Sequence, residues 1–191
     1  MNKVLERYII PVVSLIVMVA LDQWTKLLTL KHVAGTDGFY IIDKILRIYF
    51  VKNEGMAWGM LQNKQIIFII ITPIVIAFLM MIYYRLPFEK KFILARICVL
   101  LLTGGAIGNL IDRIFRGELF HGYVVDMIYV EIIDFPVFNI ADSFITVGFA
   151  MMIFSIFFVY KEKDFDLLFK RKKAAEEKEE EASNEEENET A

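Results

Sequence analysis

The stretch Phe138-Asn139-Ile140-Ala141-Asp142-Ser143 opens an apolar run that continues to residue 160. The run is close in length to the ~20 residues that an α-helix needs to cross the hydrocarbon core of a bilayer. Asp142 lies one turn inside it, and a carboxylate that enters a membrane is costly unless something requires it there. Acidic residues in such positions usually mark function, so we expect a membrane protein whose chemistry involves Asp142.

The composition of the whole chain agrees with a membrane protein. Of its 191 residues, 57% are hydrophobic, and the mean hydropathy of +0.52 is too high for an ordinary soluble domain. Four segments are long enough to be spans, at about 8–28, 66–84, 93–112 and 139–160. The sequence therefore predicts an all-α polytopic membrane protein with four transmembrane helices. Its single cysteine, Cys98, excludes a disulfide framework and a thiolate metal cage.

The basic residues predict the orientation of the spans. They concentrate before the first span, around the connection between the second and third, and after the fourth, and such residues favour the cytoplasmic side. Residues 1–160 should therefore form a membrane-embedded domain with both chain termini in the cytoplasm. Residues 161–191 form a charged cytoplasmic tail that becomes Glu-rich, and we expect it to be largely disordered. The basic residues are Lys3, Arg7, Arg85, Lys90, Lys91, Arg96, Lys161 and Lys163.

Two connections are expected to face outward. Residues 39–51 are rich in Ile, Tyr and Phe and follow turn residues, which predicts a small β-rich element on the extracytoplasmic side. Residues 53–59 show the pattern of a turn with an interfacial tryptophan. In the second connection, residues 124–125 and 129–130 have the composition of short extended pieces.

Unusual polar residues near the spans fall at one boundary of the membrane. The first and third spans run outward and carry polar groups near their outer ends, and the fourth span begins on the same side. Asn139 and Asp142 are three residues apart and therefore share one face of a helix. A common site explains this grouping better than unrelated accidents. The group consists of Asp22, Gln23, Lys26, Asn109, Asp112, Arg113, Asn139 and Asp142.

Several of these residues also have plain structural explanations. Asp22 and Lys26 are four residues apart and can pair with each other on a helix. Asp112 with its neighbour Arg113 is consistent with a strut between helices as well as with a contact to substrate. Arg116 is expected to be solvated or to lie near lipid headgroups.

Asp142 needs a second acid for acid/base chemistry, and the preceding loop offers Asp126 and Asp134, between which spacing does not decide. Two carboxyl groups around one water share a proton near neutral pH, because adjacent like charges resist double ionisation. The ionised group can take a proton from water that attacks a peptide carbonyl, and the protonated group can supply one to the leaving amine. This chemistry needs no metal. Ser143 diverges from Asp142 by about 100° on a helix, which disfavours serine catalysis.

Four blocks of the sequence together resemble the bacterial lipoprotein signal peptidase family, also called signal peptidase II. They are Leu21-Asp22-Gln23-Trp24-Thr25-Lys26, Asn53-Glu54-Gly55-Met56-Ala57-Trp58-Gly59, Gly104-Gly105-Ala106-Ile107-Gly108-Asn109-Leu110-Ile111-Asp112-Arg113, and Val124-Val125-Asp126 with Phe138-Asn139-Ile140-Ala141-Asp142. The resemblance implies a four-helix membrane aspartic endopeptidase. Such an enzyme removes the signal peptide from prolipoproteins and cuts just before a cysteine that carries a diacylglyceryl group.

The resemblance also assigns roles to residues. It implies that Asp126 and Asp142 are the catalytic pair, in preference to Asp134. It implies an active site at the extracytoplasmic face of the cytoplasmic membrane, with prolipoprotein and membrane lipid as partners. We expect a monomer with no cofactor, no metal and no nucleic acid. The residues that the resemblance makes site support or substrate-binding residues are Asp22, Lys26, Asn53, Gly55, Asn109, Asp112, Arg113 and Asn139.

Two other classes of function stay open. A small ion or proton transporter could use Asp22, Asp112 and Asp142 as a relay, but these acids cluster at one end of the spans and do not cross the midplane. A membrane scaffold could use the charged tail to bind partners, but that role leaves the acids inside the spans unexplained.

Overall fold

The computed structural model describes residues 4–55, 65–161 and 164. Within them the chain forms four α-helices and three β-strands. The helices are α1 (Ile10–His32), α2 (Gln65–Arg85), α3 (Ile93–Phe115) and α4 (Ile140–Phe158). The strands are β1 (Phe39–Ile42) and β2 (Leu46–Asn53), which lie between α1 and α2, and β3 (Val124–Val130), which lies between α3 and α4.

Three of the described helical segments are long and apolar enough to cross a membrane, namely Gln65–Arg85, Lys90–Phe115 and Ile140–Phe158. They match the second, third and fourth predicted spans, and they confirm a mostly helical, membrane-embedded protein. The first predicted span, residues 8–28, coincides with α1, which is helical to His32 but is not among these three segments. A fourth transmembrane helix therefore stays a prediction.

The predicted β-rich element is confirmed as a small antiparallel sheet in the order β1-β2-β3. Phe39 pairs with Ile48 between the first two strands, and Val51 pairs with Asp126 between the second and third. The pairing register shifts between Ile48 and Val51, which is the mark of a bulge or irregularity. The sheet thus joins the connection between α1 and α2 to the connection between α3 and α4, and it fixes Asp126 relative to β2.

Helix α3 is central and packs against the other three helices. Two of its glycines permit this close approach, since both lie against neighbouring helices. A Cβ on Gly105 would overlap the carbonyl oxygen of Ala141 in α4, and a Cβ on Gly108 would lie 2.5 Å from Oδ2 of Asp22 in α1. Helices in membranes use small residues in this way to bring their backbones together. Here the contact brings the polar faces of α1, α3 and α4 together.

The apolar side chains are arranged as expected for a protein surrounded by lipid. Helix α2 exposes Ile70 and Ile74, which are 59% and 64% accessible. At the opposite end of the helices from the sheet, Tyr83, Phe92 and Val99 form a buried cluster. Of the predicted charged tail, only residues 161 and 164 belong to the described part of the chain, so the prediction of disorder falls on residues outside it.

Candidate active site

The start of α4 is organised by a capping box. The side-chain oxygen of Asn139 accepts a hydrogen bond from the Asp142 backbone N–H at 2.9 Å, and the Asn139 backbone N–H donates to Oδ2 of Asp142 at 3.1 Å. This arrangement satisfies backbone donors that the first turn of a helix otherwise leaves free. It also fixes the half-buried carboxylate of Asp142 in the first turn of α4.

Asp126 lies on β3, and 1% of its surface is exposed. Nδ2 of Asn139 donates to its Oδ1 at 2.7 Å, and Nδ2 of Asn53 donates to its Oδ2 at 2.8 Å. Asn139 therefore contacts both acids, Asp126 through its side chain and Asp142 through its backbone. The structure brings together the two acids that the sequence resemblance singled out.

Asp134, the other acid of the same loop, lies apart from this group. It ends a 3-10 turn in the left-handed backbone conformation, and its Oδ1 accepts a hydrogen bond from the Tyr129 hydroxyl at 2.7 Å in an exposed position. Asp126 lies within β3, whereas Asp134 follows the end of the strand and a 3-10 turn, so the two acids have different surroundings.

Asn109 on α3 links Asp142 to a charged cluster behind it. Its Nδ2 donates to Oδ1 of Asp142 at 2.7 Å. Its Oδ1 accepts from Nζ of Lys26 at 3.0 Å and from Nδ2 of Asn139 at 3.1 Å. Residues from α1, α3 and α4 thus converge on one amide group.

Lys26 lies between two carboxylates in the fully buried part of this cluster. Its Nζ is 2.8 Å from Oδ2 of Asp22 and 3.0 Å from Oδ2 of Asp112, and all three side chains are inaccessible. The pairing of Asp22 with Lys26 that helical spacing suggested is present, and the second carboxylate adds to it. Asp22 also accepts from the Ala141 backbone N–H at 3.0 Å, which ties α1 to the first turn of α4.

Asp112 forms a strut between helices, one of the two roles that the sequence left open, but it does so through Lys26 of α1 and not through its neighbour Arg113. Its Oδ1 pairs with Arg116 at 2.9 Å, and its Oδ2 accepts from the Val125 backbone N–H at 3.1 Å. This carboxylate therefore positions the strand residue immediately before Asp126. Arg116 was expected to be solvated, and that expectation is wrong because its guanidinium pairs with Asp112 and donates to Gln23 at 3.0 Å.

Arg113 lies one turn after Asn109 on α3 and contacts the start of the connection after β2. Its guanidinium donates to the backbone oxygens of Asn109 and Gly55, at 3.1 and 3.4 Å, and lies 4.7 Å from the centre of the Phe68 ring. Gly55 in turn donates its N–H to Oδ1 of Asn53 at 2.9 Å. Residues 56–59, the rest of the predicted turn with its tryptophan, lie outside the described residues.

The charges of this connected network do not balance. Among the residues that the structure describes, it holds four carboxylates and three cations, and these groups are linked by the ion pairs and hydrogen bonds given above. Full ionisation would leave one uncompensated negative charge in a largely buried site, which is costly. The network is neutral if one carboxyl group keeps a proton. The carboxylates are Asp22, Asp112, Asp126 and Asp142, and the cations are Lys26, Arg113 and Arg116.

Asp126 is a group that can keep this proton. Burial raises its pKa, and the negative charge of Asp142 raises it further, to about 7, although the N–H groups of Asn53 and Asn139 act in the opposite direction. A carboxyl group with such a pKa exchanges protons near neutral pH, as general acid/base catalysis requires.

The model of the family described as Signal peptidase (SPase) II matches residues 14–158 of the chain. The chain belongs to the signal peptidase II family. The matched region contains every site residue named above, from Asp22 to Asp142, and stops before the charged tail.

Relatives and solved structures agree with this membership. The lipoprotein signal peptidase of Geobacillus thermodenitrificans (strain NG80-2) is 44% identical over 144 residues, which cover 74% of this chain and 85% of the relative. The lipoprotein signal peptidase of Streptococcus pyogenes serotype M5 (strain Manfredo) is 37% identical over 154 residues, which cover 81% of this chain and 95% of the relative. A solved bacterial membrane enzyme, determined by the in meso method at 2.3 Å resolution, superposes with a TM-score of 0.68 at 33% identity, covering 78% of this chain and 88% of the other.

Proposed function

We propose that this chain is a membrane aspartic endopeptidase that removes signal peptides from prolipoproteins, with Asp126 and Asp142 as its catalytic pair. Membership in the signal peptidase II family supports the reaction. One observation carries the catalytic assignment: Asn139 holds both acids within a network whose charges balance when a single carboxyl proton remains.

In the proposed reaction, the two carboxyl groups share one proton and hold the attacking water between them. The ionised carboxylate removes a proton from the water, whose oxygen bonds to the carbonyl carbon of the scissile peptide. The protonated carboxyl stabilises the carbonyl oxygen, and the C–N bond then breaks as the leaving amine receives a proton. The pair returns to its starting state with one shared proton.

The supporting residues have distinct proposed roles. Asn53, Asn109 and Asn139 direct N–H donors at the pair, so that the charge on the ionised carboxylate is stabilised without a full counter-charge beside it. Arg113 of α3 contacts Gly55 at the start of the connection after β2, and both residues are proposed to contact the backbone of the substrate. Asp22, Lys26 and Asp112 hold the three helices and β3 in register behind the pair.

We also propose that α1 is a fourth transmembrane helix. It contains 23 residues, and its lipid-facing side chains include Ile16 and Val17, which are 62% and 59% exposed. Its costly groups, Asp22 and Lys26, face inward and pair with each other, while Asp112, the second acid beside Lys26, is paired with Arg116, so these charges impose little penalty on the outer surface. With four spans both termini lie on the same side of the membrane, and the distribution of basic residues supports the proposal that this side is the cytoplasm and that the site faces the extracytoplasmic side.

This position suits the proposed substrate. A diacylglyceryl group stays in the bilayer and presents the bond before the modified cysteine at the outer interface, where the pair lies. The enzyme is proposed to act as a monomer surrounded by lipid. A transporter is a weaker alternative, because the hydrogen bonds given above join the acids into one cluster.

The test uses the purified full chain and a diacylglyceryl-modified prolipoprotein in detergent with a chelator. Asp126→Asn and Asp142→Asn should each lower cleavage by about 10²- to 10⁴-fold, the range for loss of a general acid or base. Asp134→Asn is the matched control, because it changes an acid of the same loop that lies apart from the network, and it should cleave at the wild-type rate. Cleavage at the wild-type rate by either of the first two variants would refute the assignment of that residue.

A further inference from the structure

The two acids are surrounded by three asparagines whose orientation has chemical consequences. An asparagine side chain has an NH₂ donor and an oxygen acceptor of nearly equal size, so its surroundings decide which end faces a neighbour. An NH₂ group directed at a carboxylate stabilises its charge, whereas an amide oxygen in the same place repels it. The pair therefore depends on what fixes each amide.

Two of the three amides are fixed by backbone N–H groups. The oxygen of Asn139 accepts from the Asp142 backbone N–H, and the oxygen of Asn53 accepts from that of Gly55. A backbone N–H can only donate, so the NH₂ groups of both asparagines must point the other way, and both donate to Asp126.

Asn109 is fixed differently. Its oxygen accepts from Nζ of Lys26 and from the amide of Asn139, and its NH₂ group faces Asp142. Lys26 can only donate, and three acceptors surround its ammonium group, at 2.8 Å on Asp22, 3.0 Å on Asp112 and 3.0 Å on Asn109. These three contacts use all three of its N–H groups, so the amide of Asn109 cannot rotate without leaving a buried ammonium donor unsatisfied.

We propose that Lys26 is a positioning residue for the peptidase reaction, because it orients the Asn109 amide so that its NH₂ group faces Asp142. This inference rests on the proposed role of Asp142 and deepens it. Lys26 itself is fully buried and acts through Asn109, so its removal should impair the chemical step more than the binding of substrate.

A double-mutant cycle tests whether Lys26 acts through Asn109. Lys26→Met in the wild-type background should lower kcat by on the order of 10²-fold, the effect of misplacing a catalytic group, with KM changed less than about threefold. Asn109→Leu removes the donor to Asp142 and should lower kcat to a similar degree. In the Asn109→Leu background, adding Lys26→Met should lower kcat by less than about threefold, because the interaction is already lost.

Two further variants support the double-mutant cycle, one as a control and one as a replacement if Lys26→Met does not fold. Lys31→Met alters an exposed lysine on the same helix and should leave kcat and KM unchanged. If Lys26→Met does not fold, Asp22→Asn combined with Lys26→Met replaces it throughout the cycle. That pair of changes removes one charge of each sign and keeps an oxygen that can accept from Ala141.

Equal losses of kcat on removing Lys26 in the two backgrounds would overturn the inference, since the lysine would then act independently of Asn109. A rise in KM with kcat retained would also overturn it. Neither result would contradict the assignment of Asp126 and Asp142 as the catalytic pair. That assignment is contradicted only if Asp126→Asn or Asp142→Asn cleaves at the wild-type rate.

Discussion

Asn139 offers a sharp test of how the site is built, because it performs two separable tasks. Its oxygen caps α4, and its NH₂ group donates to the acid Asp126 and to the supporting residue Asn109. Asn139→Ala removes both functions, whereas Asn139→Ser keeps a capping oxygen and removes the donor. Comparing the two variants therefore separates the stability of the helix from the support of the acid.

The magnitudes follow from the contacts. Losing the cap costs ~1 kcal/mol, and leaving a buried oxygen of Asp126 without its donor costs ~1–3 kcal/mol. Asn139→Ala should thus lower the free energy of unfolding by ~2–4 kcal/mol, and Asn139→Ser by ~1–3 kcal/mol. For a chain of this size each kcal/mol corresponds to ~2–4 °C in Tm. The two variants should therefore differ by that amount in thermal unfolding of the detergent-solubilised protein.

Activity should respond differently from stability. Both variants lose the donor to Asp126, so both should lower cleavage of the prolipoprotein by on the order of 10²-fold when folded protein is compared. Loss of an N–H donor to a carboxylate raises its pKa. The pKa of Asp126 should therefore rise above about 7, and the alkaline limb of the pH–rate profile should move to higher pH. Cleavage at the wild-type rate by Asn139→Ser, together with impaired cleavage by Asn139→Ala, would refute the role of the NH₂ group in catalysis. Asn139 would then act only as the cap of α4.

Three further predictions concern stability. The pKa of Asp126 is raised from 3.8 to about 7, so between these pH values the folded state binds more protons than the unfolded state. The free energy of unfolding should therefore fall as pH rises from about 4 to 7. Unfolding measured across this pH range should show a smaller fall for Asp126→Asn than for the wild type. Gly105→Ala should lower the free energy of unfolding by ~1–3 kcal/mol, because the added methyl group meets the backbone oxygen of Ala141. Gly104→Ala should lower it less, because its methyl group meets the flexible side chain of Met18. Thermal unfolding of the two variants tests this difference. Arg116→Met leaves buried Asp112 with one cation fewer and should lower Tm measurably, and an unchanged Tm would show that this ion pair adds nothing to stability.

Helical periodicity and the alternating direction of successive spans predicted much of this fold. Both depend on local spacing, so the second, third and fourth spans and the convergence of Asn109, Asn139 and Asp142 at one end could be read before any coordinates were known. The choice between Asp126 and Asp134 could not be made from spacing. It depends on the register of β3 against β2, which is a property of long-range pairing.

The error over Arg116 has a specific cause. The sequence predicts that the third span ends at about residue 112, but α3 continues to Phe115. Arg116 therefore lies four residues after Asp112 on the same helical track, a spacing that favours ion pairs. The contact of Asp112 with the backbone of Val125 joins a helix to a distant strand, and the sequence carries no local signal for it.

If Asp126 and Asp142 share one proton at neutral pH, infrared spectroscopy of the purified protein should detect it as a protonated carboxyl group. One side-chain carboxyl of this network should be protonated near pH 7, and its signal should disappear on titration to alkaline pH. Asp126→Asn and Asp142→Asn should each alter this signal, whereas Asp134→Asn should not. Fully ionised carboxylates at pH 7, or a protonated carboxyl that neither catalytic-pair variant affects, would contradict the sharing of one proton by the pair.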